Sequence, residues 1–182
     1  LEECLNATKL AEFKIYVAMR YWHPFTEEVV SEVKRDKVDK VILLPLYPHY
    51  STSTTSSSIK KWFAESKKQK MFLPTKSICC YSGNEGFISS HCELIKTSLK
   101  GKDLSKYRIL FSAHGLPKKL INQGDPYQWH IENSVRHIVA RLAYVNLDYQ
   151  ICYQSKVGRL EWLTPSTKAE ISRAARDKKS VV

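Results

Sequence analysis

At residues 112 to 117 the chain reads Ser-Ala-His-Gly-Leu-Pro, so that His114 stands just beyond an apolar, β-branched and aromatic run, Tyr107 to Ser112. An imidazole changes charge near neutral pH without large tuning, which suits it to proton transfer and to metal ligation. A lone histidine is more often a satisfied structural group, but its surroundings favour a working one. Gly115 permits close approach of a ligand and Pro117 ends regular structure. Leu44 to Ser58 reads LPLYPHYSTSTTSSS, with two prolines, aromatics at Tyr47 and Tyr50, and eight consecutive hydroxyl residues that include Ser51 and Ser53. Such a tract is either a solvated linker ending in helix N-caps or an anion cradle of hydroxyls and free backbone N–H groups, and the residues alone leave both readings open. Cys152 to Thr167 reads CYQSKVGRLEWLTPST, with Gln154, Ser155 and Lys156 at a loop mouth and Trp162 as a flat apolar wall or a core residue. Arg20, within Met19 to His23, stands in a similar position after an earlier apolar run.

Each of these loops follows a short apolar run. Lys14 to Ala18, Val38 to Leu44, Ser77 to Cys80, Tyr107 to Ser112 and Tyr149 to Tyr153 are too short for helices and apolar at successive positions, as in strands buried on both faces of a parallel sheet. Helical spacing lies between them. Ile131, Val135, Ile138, Val139 and Leu142 share one face. Thr26 with Glu27 and Glu28 starts a helix that ends at Lys34, Arg35 and Lys37. Ile59 opens another after the hydroxyl tract, and Thr167 with Glu170 has capping-box spacing. The fold expected is α/β, two Rossmann-like domains of parallel sheet flanked by helices, 1–75 and 76–182, with ligands at the carboxyl ends of the strands. Both ends read as cut, the last residues being a strand just beginning.

A chain of 182 residues with 43% apolar content can bury a core. No stretch reaches the roughly 18 to 20 apolar residues of a membrane helix. The five cysteines include no CxxC pair and read as free, mostly structural thiols in a reducing compartment. The net charge of +11 attracts anions of some kind. Because the basic residues are dispersed over helices and no nucleic-acid motif is present, solvated helix faces resting on an anionic membrane surface are favoured over a nucleic-acid-binding module.

Taken in order, AMRYWHP at Ala18 to Pro24, the LPLYPHYSTSTTSSS tract, LFSAHGLP at Leu110 to Pro117, GDPY at Gly124 to Tyr127 and YQSKVGRLEWLTPST at Tyr153 to Thr167 resemble the ferrochelatase family over nearly the whole chain. The resemblance implies two chelatase-type domains, a lyase inserting ferrous iron into protoporphyrin IX or coproporphyrin III, no required cofactor, and a cytoplasmic setting peripheral to an inner membrane, on the matrix side in a mitochondrion. It makes His114 the metal- and proton-handling histidine and Arg20 the arginine near the porphyrin propionates. Tyr50, Ser51 and Ser53 fall in a hydroxyl-rich porphyrin-side loop, and Tyr127 and Trp162 flank the macrocycle. A cobalt or sirohydrochlorin chelatase is the neighbouring alternative. The family's second acid, a glutamate in a segment resembling FVSEHxET, would follow Val182. The isolated 182 residues are therefore expected to bind porphyrin weakly without chemistry. Gly86 to Ile95, GFISSHCELI, looks superficially like that segment but is read as an ordinary helix.

Overall fold

Strands and helices alternate along residues 1–182, all of which the structure, a computed structural model, describes. The chain divides into two units, Leu1–Pro45 with Ser53–Cys79, and Leu46–Thr52 with Cys80–Val182. The division near the middle thus falls at Cys79 rather than in the Phe72 to Lys76 stretch, and the segment Leu46–Thr52 belongs to the second unit although its neighbours in sequence belong to the first.

The first unit holds α1 (Glu2–Asn6), α2 (Thr26–Arg35), β1 (Val41–Leu43), α3 (Thr55–Lys68) and β2 (Thr75–Ser77). β1 and β2 pair in parallel. Acidic Glu27 and Glu28 open α2 and basic Lys34 and Arg35 close it, matching the helix dipole at both ends. The Glu28 carboxylate also accepts the Phe25 backbone N–H, satisfying one of the donors that a helix start leaves free. Val29, Val30 and Val33 of α2, Trp62 of α3 and Met71 form the core, against which Val41 and Leu43 pack. Ile42 points the other way and is half exposed. Period-two alternation with one covered face therefore replaces the two-faced burial expected of these strands.

Two expected strands differ. Lys14 to Ala18 enters no ladder, since β1 pairs only with β2, and the one bridge nearby joins Met19 to Phe25. The run expected at Ser77 to Cys80 begins earlier and stops at Ser77. Cys79 and Cys80, expected to be buried free thiols, lie beyond the strand and are disulfide-bonded, whereas Cys4, Cys92 and Cys152 are free.

The second unit holds α4 (Glu85–Leu99), a 3-10 turn (Leu104–Lys106), β3 (Tyr107–His114), α5 (Lys118–Asn122), α6 (Tyr127–Leu142), β4 (Tyr149–Gln154), α7 (Thr167–Arg176) and β5 (Ser180–Val181). The strand order is β4-β3-β5, all parallel, with β3 in the centre. Ile109 and Phe111 of β3 meet Ile88 and Cys92 of α4 and Ile138 and Leu142 of α6. Ser112, one step out of phase with them, hydrogen-bonds Thr167 of α7 at 2.7 Å. Helices therefore cover both faces, which is the doubly wound α/β arrangement. GFISSHCELI is indeed the ordinary helix α4, capped by the Asn84 side chain, which accepts the Phe87 N–H at 3.1 Å. In α7 the cap is Ser166, whose hydroxyl accepts the Ala169 N–H at 3.2 Å; Thr167 is the first helical residue, and Glu170 turns to Arg173 at 2.5 Å instead of closing a capping box.

One ion cluster fixes the foot of the central strand. Arg108, at 7% exposure, donates to both oxygens of Asp148 at 2.9 and 3.1 Å and to Asp177 at 2.9 Å. It thereby ties β3 to the turn before β4 and to the end of α7. Arg108→Met keeps the stem but removes these bonds. We expect it to lower stability by about 2 kcal/mol, the loss being limited because Lys179 still pairs with Asp148 and Asp177 is well exposed. A shift of the urea midpoint at unchanged slope would show it.

Candidate active site

His114 is the last residue of β3 and is exposed, as expected for a working group at the carboxyl end of a parallel strand. The pleat sends it to the same side of the sheet as Ser112, the α7 side. No hydrogen bond or ion pair to another residue engages its ring, so both nitrogens are available to an incoming group. Beyond it the β3 and β4 exits stay joined. Gly115 donates its N–H to Gln154 O at 2.8 Å, Leu163 donates to Leu116 O at 3.0 Å, and Pro117 bridges Trp162 in antiparallel fashion.

Gly115 is small where the chain packs closely on itself. A Cβ there would lie 2.9 Å from Gln154 O and 3.1 Å from Cε3 of Trp162. The missing side chain lets the Trp162 ring lie against the backbone that follows His114. Trp162 is 9% exposed and its indole N–H has no partner, although a buried N–H ordinarily finds one. The ring walls a cavity of about 380 Å³ lined also by Gly115, Tyr153, Gln154, Lys156 and Ser166. Gly115, which lines the cavity, directly follows His114, so the wall and the histidine belong to one unit.

Tyr127 begins α6 and packs with Leu116, Tyr153 and Leu163. Burial, and secondarily the Asp125 carboxylate, raises the Tyr127 phenol above its ordinary range. Burial, aided by Glu132, pushes Tyr153 up to about 12. Both phenols hold their protons at neutral pH, so neither serves as a base at this strand exit.

The hydroxyl tract is split. Thr55 to Ser58 form the first turn of α3, which opens four residues before the expected start at Ile59. Tyr50, Ser51 and Thr52 lie in the irregular segment of the second unit, and Ser53 in the first. Ser51 is fully buried, and its hydroxyl donates to Asp125 at 2.9 Å. Thr52 donates to the same oxygen from its N–H at 2.8 Å and its hydroxyl at 2.6 Å, while the Tyr127 N–H takes the other oxygen at 3.0 Å. Burial alone would raise the Asp125 pKa, but these four donors outweigh it and hold the carboxyl below its usual range.

A second fastening was not foreseen. The Ser134 hydroxyl donates to Ser82 O at 2.6 Å, so it must accept from Nε2–H of His49 at 2.8 Å. Burial, then His130 of α6 and His91 of α4, lower the His49 pKa to about 4. The unfolded chain therefore binds a proton here that the folded chain refuses between about pH 6.5 and 4, and stability falls as pH drops through that window. We expect His49→Gln, which keeps a donor, to remove acid sensitivity of the order of 2 kcal/mol between pH 6.5 and 4. Urea titrations across that range read it.

In the first unit, Arg20 donates from Nε to Ser57 Oγ at 3.0 Å and lies over the Tyr21 ring at 4.6 Å. Ser57 sits in the first turn of α3, where unpaired N–H groups and the helix dipole favour an anion. Thr54 and Thr55 place buried hydroxyls without partners in the same turn. Arginine, hydroxyls and a helix N-terminus together form a corner that suits a carboxylate.

A protein-family model described as Ferrochelatase matches residues 1–182. The chain is 48% identical over 183 residues to a Ferrochelatase of Wolbachia sp. subsp. Drosophila simulans (strain wRi), with 100% of the chain and 58% of that relative covered. It is 44% identical over 184 residues to a Ferrochelatase of Pelagibacter ubique (strain HTCC1062), covering 100% and 53%. A Ferrochelatase of Rickettsia felis (strain ATCC VR-1525 / URRWXCal2) is 44% identical over 182 residues, covering 100% and 52%. The chain spans little more than half the length of these curated relatives.

Proposed function

Because the chain belongs to the ferrochelatase family, we propose that the protein inserts ferrous iron into protoporphyrin IX or coproporphyrin III, releasing two protons, in heme biosynthesis. The observation that carries this reading is the exposed, unengaged imidazole of His114 at the carboxyl end of the central strand, next to a cavity walled by Trp162.

Two pyrrole N–H protons must leave as the metal enters. A neutral imidazole can take one at nitrogen, and it also ligates ferrous iron, so His114 can serve both needs in turn. A flat macrocycle shields its nitrogens. The Trp162 ring, held against Gly115, gives a rigid face that can keep the porphyrin bent, at a strain of about 1 to 5 kcal/mol offset by binding elsewhere. Its free indole N–H is a donor awaiting an acceptor. Arg20, with the α3 N-terminus, takes a propionate. Tyr50 and Ser53 line the porphyrin side of their loop, whereas Ser51, enclosed and bonded to Asp125, shapes that loop, and Tyr127 packs with Leu116, Tyr153 and Leu163, the last of which follows Trp162 in the chain.

Iron is substrate here, and the residues named need no further cofactor. No helix is long and apolar enough to cross a membrane, and the charge of +11 supports peripheral contact with anionic lipid from a cytoplasmic or matrix compartment.

Porphyrin titration of the full-length protein, followed by fluorescence, tests the substrate assignment. Loss of a charge-assisted contact in Arg20→Leu should weaken protoporphyrin binding by about 10- to 100-fold. A porphyrin with esterified propionates should bind both forms equally. Equal binding of the free acid by both proteins removes Arg20 from the propionate role.

A further inference from the structure

The segment Leu46–Thr52 leaves the first unit after β1 and packs wholly with the second. Several fastenings hold it there. The Tyr81 N–H donates to Pro48 O at 3.0 Å, His49 donates to Ser134, and Asp125 receives Ser51 and Thr52. Asp125 is the strongest of these, a carboxylate at 5% exposure with all four of its bonds to protein donors. Three of those donors belong to the loop and the fourth is the Tyr127 N–H, one of the free donors that open α6. Asp125 also lies eleven residues after His114, at the end of the short α5 connection, where its own N–H donates to Leu120 O at 3.1 Å. It therefore joins the loop bearing Tyr50 to the stretch of chain that starts at the catalytic histidine.

We propose that Asp125 is the positioning residue of the porphyrin-side loop, setting porphyrin affinity by clamping Ser51 and Thr52 without touching substrate. The inference rests on the reading of the loop as porphyrin-facing.

Asp is required by the donor pattern. In Asn, an oxygen placed to receive the Thr52 N–H leaves the amide NH2 facing the Tyr127 N–H, two donors opposed. Turning the amide round opposes NH2 to Thr52 instead. An isosteric substitution thus opens one side of the clamp while preserving volume.

Asp125→Asn in the full-length protein is the test, with Leu142→Val as a control that truncates the α4–α6 core at the last residue of α6, about two helical turns past Ser134. The first readout is amide hydrogen exchange at residues 46–53, which needs no ligand. The second is protoporphyrin affinity by fluorescence together with KM and kcat. We expect Asp125→Asn to speed exchange in the loop at least tenfold and to raise KM and the porphyrin Kd about tenfold, with a smaller change in kcat. Leu142→Val should lower the melting temperature and leave loop exchange and KM as in the parent. Unchanged loop exchange, or faster exchange with unchanged porphyrin affinity, overturns the proposal, as does an equal rise in KM in the control. If the parent binds no porphyrin, the function reading falls, and loop exchange still decides whether Asp125 is the clamp.

Discussion

His114→Ala in the full-length protein is expected to abolish iron insertion while leaving porphyrin binding nearly intact. The ring is exposed at the strand end and no other residue uses it, so its removal costs the fold little. On the function proposed above, what goes is the base for the departing pyrrole protons and an iron ligand with it. General base catalysis alone is worth about 10²- to 10⁴-fold, and losing a ligand adds to that, so a fall of at least about 10³-fold in kcat is expected. Protoporphyrin Kd should move less than threefold, because the wall at Trp162 and the corner at Arg20 remain. Stopped-flow insertion beside fluorescence titration separates the two quantities. A variant retaining a tenth of the parent kcat would remove His114 from the chemistry.

Gly115→Ala should be the most damaging single methyl group in the second unit. Its Cβ would stand 2.9 Å from a backbone carbonyl, Gln154 O, which cannot swing aside, and 3.1 Å from a ring enclosed by its neighbours. Either the β3 and β4 exits part or Trp162 moves into the cavity. Overpacking of this kind costs about 1 to 3 kcal/mol. The functional loss should exceed the stability loss, since shifting a positioned wall by about 1 Å can lower turnover about 10²-fold. Thermal unfolding and kcat/KM measured on the same preparation read both.

Local periodicity made the second unit readable. β3 and β4 are apolar and β-branched or aromatic, and the α6 face recurs at helical spacing, so their chemistry-bearing exits could be placed from sequence. The first unit was less legible because strand status depends on a partner. Lys14 to Ala18 has the composition of a strand and no ladder to enter. Three-residue β1, covered on one face, is too short for its alternation to stand out, and three-residue β2, Thr75–Ser77, has no apolar residue to announce it. The start of α3 was misplaced because a run of serines and threonines signals turns and caps at every position alike, and Thr55 resembles Ser51 in type while differing in fate.

Distance in sequence hid the rest. The partner that fixes Ser51 and Thr52 is an aspartate 74 and 73 residues further on, and nothing in the hydroxyl tract announces it. The GDPY motif could have done so. An Asp immediately before a Pro and a helix start is well placed to collect backbone donors. His49 looked like one more loop residue; its role comes from α4 and α6 closing over it. Gly115 is legible as a missing side chain, but the groups that press on it, the Gln154 carbonyl and the Trp162 ring, lie 39 and 47 residues further on.

Anaerobic incubation of the full-length protein with ferrous iron and protoporphyrin IX, or with coproporphyrin III, followed by Soret absorbance, tests the central assignment most directly. The account predicts catalytic formation of the corresponding heme with at least one of the two porphyrins, dependent on His114. Failure to metallate either porphyrin, by a protein that is folded and binds them, would contradict it.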